Sequence, residues 1–332
     1  MRAIYNLEEL KEVTRLIQIL ERKFSDYSET RLLAEISHRN GSFPVHGIIL
    51  GKRGEHTNRP TLAFIGGVHG LERIGTQVVI AFLQSIVERL SWDQSLLEDL
   101  KQIRILFVPL LNPLGFALER RSNGNGVDLM RNSPINSPKP TPLVGGHRLS
   151  ARLPWYRGVE GAPMEAEAQA LVQFIEQQCF GNPFNLILDV HSGFGGIDQI
   201  WFPYAKSKEP FPGIKEVKLL KGLMDRVLPH HVYRFEPQSK HYQTHGDLWD
   251  YLVDRHQSKF SSDRFIPLTL ELGSWIWVKK NPKQIFSFLG PFNPIKPHRI
   301  KRTLRRHLPL FDFLIRVTRS SEAWLKASEE GC

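Results

Sequence analysis

Thr61-Leu-Ala-Phe-Ile-Gly-Gly-Val-His-Gly-Leu-Glu72 is the stretch from which the architecture is read. Thr61–Ile65 is a short continuous apolar run, the pattern of a strand buried on both faces. Gly66 and Gly67 end it, because glycine pairs punctuate regular structure. Residues 73–90 then repeat apolar side chains at helical spacing. Between strand and helix stand His69 and Glu72, three positions apart, so both side chains can face the same way as the helix begins. Taken alone, a histidine and a glutamate at this spacing are ordinary surface groups. Their position after a buried strand and a glycine break is what raises them.

The same grammar extends outward. Val45–Leu50 has strand character, and Gly51–Pro60 reads as a polar turn. Ile103–Leu110 is an apolar strand stopped by Asn112-Pro113. Asn185–Val190 is another, leading straight into His191, and Phe265–Leu272 carries Glu271. Helical spacing appears over residues 6–23, with Asn6 as a cap, over 164–178, and over 303–316. From Ser133 to Pro163 the chain is rich in Pro, Gly and Arg without periodicity, which marks a long loop over one face, shaping the pocket. Strands alternating with helices predict an α/β sheet, mainly parallel and covered on both faces. The chain is expected to be one catalytic α/β domain over 1–332, with a helical lead to about residue 40 and a C-terminal helix over about 300–325. The candidate reactive residues fall at the ends of three strands, where ligand sites in open α/β sheets lie.

Two imidazoles, His69 and His191, with the Glu72 carboxylate can hold one zinc ion and leave a position open for water. A downstream carboxylate, Glu271, can shuttle protons for that water. Each has a plainer reading. His191 after a strand can be a satisfied core histidine, and Ser192, Gly193, Gly195 and Gly196 after it permit close backbone approach. Glu271 can face solvent on a half-exposed strand, since Leu268, Leu270 and Leu272 alternate with Thr269 and Glu271. Arg121 and Arg131 flank a Gly/Asn-rich stretch that can fold them back toward a metal, where a guanidinium binds a carboxylate or a developing oxyanion. The alternative is a polar surface loop.

Composition narrows the class. The 332 residues hold 44 Lys and Arg against 34 Asp and Glu, a net charge of +10. That balance suits an acidic partner or a basic surface. The basic cluster from Lys296 to His307 opens the C-terminal helix and reads as a solvated face. No aromatic residue interleaves with it, so nucleic acid is an unlikely partner. The first residues lack an apolar signal region, no run is long enough to span a bilayer, and the two cysteines, Cys179 and Cys332, suit a reducing compartment. A cytoplasmic protein without a membrane partner is expected.

The ordered set HGLE (69–72), NPLGF (112–116), RRSNGNGVDLMRN (120–132), LDVHSG (188–193), HYQTHG (241–246) and TLELGS (269–274) resembles the zinc carboxypeptidases of the M14 type. The resemblance runs from about Ile65 to Gly273. It implies a mixed, mostly parallel eight-stranded sheet flanked by helices. It also implies one Zn2+ per chain on His69, Glu72 and His191, with Glu271 as general base and acid. By the same resemblance Arg121 stabilises the oxyanion, Arg131 grips a terminal carboxylate, Tyr242 closes over the substrate, and Asp128 orients His69.

One departure stands out. The family commonly has Asn-Arg where this chain has Met130-Arg131, and methionine offers only a weak acceptor. Asn132 is the neighbouring candidate to replace that amide. The expected activity is hydrolysis of an amide bond next to a carboxylate, in a protein C-terminus, an acidic or γ-glutamyl chain, or a murein peptide. Two rivals are an N-acyl amino acid deacylase of the desuccinylase/aspartoacylase type, with an acylated amino acid as substrate, and a non-catalytic zinc-binding protein.

Overall fold

A computed structural model describes residues 7–39, 41–52, 58–193, 195–260 and 262–329. The chain begins with α1 (Glu8–Lys23), which buries Val13, Leu16, Ile17 and Leu20 at the expected three- and four-residue steps. Leu7 holds its cap position without a side-chain bond; the expected cap, Asn6, lies outside the described residues. The helical lead ends at Lys23 rather than near residue 40. Ser28–His38 forms β1, an edge strand paired antiparallel to β2 (Gly41–Leu50). Its residues are mostly half-buried, with Leu32, Glu35 and Ser37 exposed, and polar residues interrupt the apolar ones, so no continuous apolar run announces it.

The remaining elements are β3 (Thr61–Gly66), α2 (Arg73–Arg89), α3 (Gln94–Gln102), β4 (Arg104–Val108), α4 (Pro113–Ala117), α5 (Ala166–Cys179), β5 (Phe184–Ser192), β6 (Gln199–Phe202), α6 (Ile214–Val227), β7 (Arg234–Pro237), α7 (Leu248–Lys259), β8 (Arg264–Leu272), α8 (Trp275–Lys280), α9 (Pro297–Arg319) and α10 (Ser321–Glu329). Among the described residues, eight strands make one sheet in the order β1-β2-β4-β3-β5-β8-β6-β7. The middle four, β4-β3-β5-β8, are parallel. β2 joins β4 antiparallel, β6 joins β8 antiparallel, and β7 runs parallel to β6. The sheet is therefore mixed.

Every residue of β3 and β5 is buried. Phe64 of β3 stacks on Phe311 of α9 at 4.6 Å and on Phe107 of β4 at 5.3 Å, with Phe82 of α2 edge-on at 5.2 Å. Burying each such ring stabilises the fold by about 1.5–3 kcal/mol. This packing anchors the strands whose carboxyl ends carry the site. The C-terminal helix expected over 300–325 is two helices. The Trp324 indole donates to the Val317 carbonyl at 3.0 Å, folding α10 back on the end of α9. His307, expected on a solvated face, is buried against the Tyr233 hydroxyl at 2.9 Å. Burial pushes the Cys179 thiol up to about 12, which keeps it inert; Cys332 lies outside the described residues. Among the described residues no helix is long and apolar enough to cross a membrane.

Candidate metal centre

β3 delivers the first two groups through a turn that its glycines permit. Gly67 has φ +71°, which a side chain would strain. A Cβ on Gly70 would fall 2.1 Å from the Gly115 carbonyl carbon, so only glycine lets the His69–Glu72 turn press onto the Asn112–Gly115 turn. Asn112 locks the two together. Its amide donates to the Val68 carbonyl at 3.1 Å, and its side-chain oxygen accepts from Gly115 N–H at 2.8 Å.

His191 comes from the end of β5, and the three side chains converge. His69, Glu72 and His191 are all buried, and one donor atom from each lies within 4.8 Å of the others. His69 Nδ1 stands 2.8 Å from Glu72 Oε1, His191 Nδ1 3.0 Å from Glu72 Oε2, and the two Nδ1 atoms 3.2 Å apart. Tetrahedral zinc with bonds of about 2.0–2.1 Å places its ligand atoms about 3.3–3.4 Å apart. The donor set and its spacing fit that ion.

The outward ring nitrogens are held by carboxylates. His69 Nε2 donates to Asp128 Oδ1 at 3.0 Å and His191 Nε2 to Asp189 Oδ2 at 2.8 Å. Each bond fixes its ring so that Nδ1 faces the shared focus, where its lone pair becomes available to a metal once the Nδ1 proton is lost. Trp249 at the start of α7 donates its indole N–H to the same Asp189 oxygen at 2.9 Å. Glu72 Oε2 also accepts the Ser192 backbone N–H at 3.0 Å.

Charge balance is decided by these pairings. Burial alone would raise the Glu72 pKa, but the charge of His69 and bonds from His191 and His69 hold it well below the usual carboxylate range. Burial likewise opposes ionisation of Asp128, and Arg121 and His69 overcome it. His191 is driven up, burial notwithstanding, by Asp189 and Glu72. Arg121 bridges two of the acids, donating from Nε to Asp128 at 2.8 Å and from Nη1 to Glu72 at 3.1 Å.

Glu271 is 7% exposed and faces the same cavity as the triad, so it is not an outward-facing strand residue. Leu270 and Leu272 take the core side. The cavity, about 240 Å3, is also lined by Arg121, Met130, Arg131 and Tyr242. Arg131 is buried. It donates to its neighbour's carbonyl, Met130 O, at 3.2 Å and to Tyr242 Oη at 3.5 Å, and its Nε makes no hydrogen bond. The loop over 133–163 contributes Val144 and Trp155 to the wall. Arg157 of that loop ties it to Arg131 by donating to the Arg131 carbonyl at 3.1 Å.

Asn132 is not part of the cavity. Its amide donates to the Arg157 carbonyl at 3.0 Å and its oxygen accepts from Glu165 N–H at 2.6 Å. The one-turn helix Leu129–Arg131 rotates it away from Arg131's side. Its amide is thus engaged with the loop rather than with the cavity, where Met130 stands. Sequence reading also passed over Asp189, although a buried acid two residues before His191 must share its face of a strand. Trp201, Gln238 and Phe292 reach the wall from segments that carry no local signal.

A metal-competent His-Glu-His focus at the carboxyl ends of central parallel strands, with an acid and two arginines in one cavity, defines a metallopeptidase-type α/β fold. The chain belongs to the zinc carboxypeptidase family, whose model matches residues 20–283. It is 30% identical over 120 residues to carboxypeptidase SOL1 of Arabidopsis thaliana, covering 35% of this chain and 24% of that protein. It is 28% identical over 170 residues to the carboxypeptidase N catalytic chain of Mus musculus, covering 45% and 34%. The chain thus spans a quarter to a third of the length of these relatives. The fold matches carboxypeptidase A from Helicoverpa armigera with a TM-score of 0.68 at 16% identity, covering 92% of this chain and 71% of that one.

Proposed function

We propose that this chain is a zinc-dependent carboxypeptidase that hydrolyses the amide bond beside the terminal carboxylate of a peptide. One observation carries the reading: the His69/Glu72/His191 focus, the Glu271 carboxylate and the Arg131 guanidinium share one cavity. Zinc, when bound, supplies Lewis acidity and a lowered water pKa. Glu271 takes a proton from the attacking water and later hands it to the leaving amine. Arg121 donates to the carbonyl oxygen as negative charge develops on it. Arg131, whose side chain lines the cavity, binds the terminal carboxylate. Tyr242 closes over the chain end from beside Arg131.

The wall beyond these groups is neutral: Met130, Val144, Trp155, Trp201, Gln238 and Thr269. This favours an uncharged, largely apolar terminal side chain. The acidic preference expected from net charge has no cation of its own here, since Arg121 and Arg131 already have roles.

The test is a digest of peptides ending in Leu, Phe, Glu, γ-linked Glu or Lys, alongside N-acyl amino acids, with and without chelator. Loss of single C-terminal Leu or Phe, stopped by chelator, is expected. Cleavage of acyl amino acids with peptides left intact would instead assign a deacylase.

A further inference from the structure

The chain's positive charge is concentrated in one segment. Residues 272–311 contain nine lysines and arginines and no aspartate or glutamate, so the rest of the chain carries only one of its ten net charges. The same segment exposes large apolar side chains: Phe286 at 90%, Phe288 at 65%, Trp275 at 51%, Ile285 at 45% and Ile295 at 42%. Scattered exposed apolar residues are ordinary. Five within one short, acid-free basic segment are not.

Hydrogen bonds hold the segment together as one folded unit. The Arg299 guanidinium, at the start of α9, donates to the Trp277 and Lys280 carbonyls of α8 at 3.4 and 3.3 Å. The Gln284 amide donates to the Gly290 and Asn293 carbonyls at 2.6 and 3.1 Å, folding the Phe286–Phe288 turn. Asn293 then fastens the turn to the metal centre, donating to the Leu71 carbonyl at 2.7 Å and accepting from Ile74 N–H at 2.9 Å. Phe292 of the same turn lines the cavity. Among the described residues no carboxylate pairs with Lys279, Lys280, Lys283 or Lys296, which surround the exposed rings in sequence.

We propose that this surface docks the protein on an anionic lipid bilayer. Phe286 and Phe288 enter the boundary between headgroups and acyl chains, and the lysines engage the anionic headgroups. Lysine stems lie along such a boundary with their charges in the headgroup layer. The aliphatic members decide against a nucleic acid: Ile285 and Ile295 cannot stack on bases, whereas a bilayer accepts aliphatic and aromatic groups alike. The attachment is peripheral and departs from the expectation of no membrane partner, which rested on the lack of a spanning run; through Phe292 it brings the cavity near the lipid. It does not rest on the proposed catalysis.

The test is flotation of the full chain with vesicles of phosphatidylcholine, alone or mixed with phosphatidylserine. Binding to the mixed vesicles only, weakening as salt rises, is expected. Phe286→Ser with Phe288→Ser should weaken it about tenfold or more, from the apolar area no longer buried. Lys279→Glu with Lys280→Glu should weaken it at low salt. All four side chains are on the surface, and matching thermal melts establish that the variants fold. Absence of binding to mixed vesicles overturns the proposal. So does a phenylalanine double variant that binds as the parent does while a single-stranded oligonucleotide competes, since that outcome describes a polyanion patch.

Discussion

His191 and Glu271 are lateral partners in the parallel pairing of β5 with β8. Residues in register on neighbouring strands point to the same face, with strands about 4.8 Å apart. The pairing therefore sets a metal-competent imidazole and a buried carboxylate side by side without any loop to position them. Asp189 and Thr269, the next register pair on that face, extend the arrangement behind and beside it.

Metal analysis of the purified chain should find about one zinc per molecule. His191→Ala should lose most of it, since two remaining donors make a poor site. Full metal retention by that variant would place the ion elsewhere.

Glu271→Gln should keep the zinc and lose roughly a hundredfold or more of peptidase turnover, because the amide cannot carry the proton. Metal content and steady-state rates on the best peptide check both halves. Near-parental turnover would reassign the base.

Asp189→Asn should weaken zinc binding by about 10- to 100-fold, as loss of a carboxylate holding a ligating histidine does. Competition with a chromogenic chelator measures it directly. Trp249→Phe should shift affinity in the same direction by less, because the indole bonds Asp189 rather than the histidine.

Met130→Asn restores an amide in the cavity wall, where Met130 is 4% exposed. Lower KM for simple C-terminal residues with kcat little changed is the expected split, because the amide would bind the terminal carboxylate without entering the chemistry. An unaltered KM would remove Met130 as the limit on recognition.

Burial lowers the His307 pKa to about 4, against about 6.5 in an unfolded chain. The unfolded state therefore binds the extra proton between these values. The contribution of neutral His307 is complete above about pH 6.5 and is lost as pH falls toward 4, at up to about 1.4 kcal/mol per pH unit. Melting temperatures of His307→Phe across pH 4–8 should fall less on acidification than those of the parent. Parallel curves would assign the acid sensitivity to other groups.

The central strands were legible because burial on both faces writes itself as a continuous apolar run, as in Leu62–Ile65 and Leu186–Leu188. β1 was not, since it is an edge strand of mostly half-buried residues in which polar positions break up any such run. β6 and β7, four residues each, are too short for any period to register. Asn132 shows the limit of adjacency. It follows Arg131 directly, yet one tight turn sends its side chain to Arg157 and Glu165 instead of the cavity.

Residue order alone determined which groups are able to bind metal and which strand ends carry them, because local periodicity records what each segment hides from water. Only tertiary structure decided that the three donors meet with both Nδ1 atoms inward, that Asp189 holds the His191 ring as Asp128 holds that of His69, and which side chains wall the cavity. Those relations depend on sheet order and on packing between segments far apart in the chain, and no local pattern encodes a distance between them.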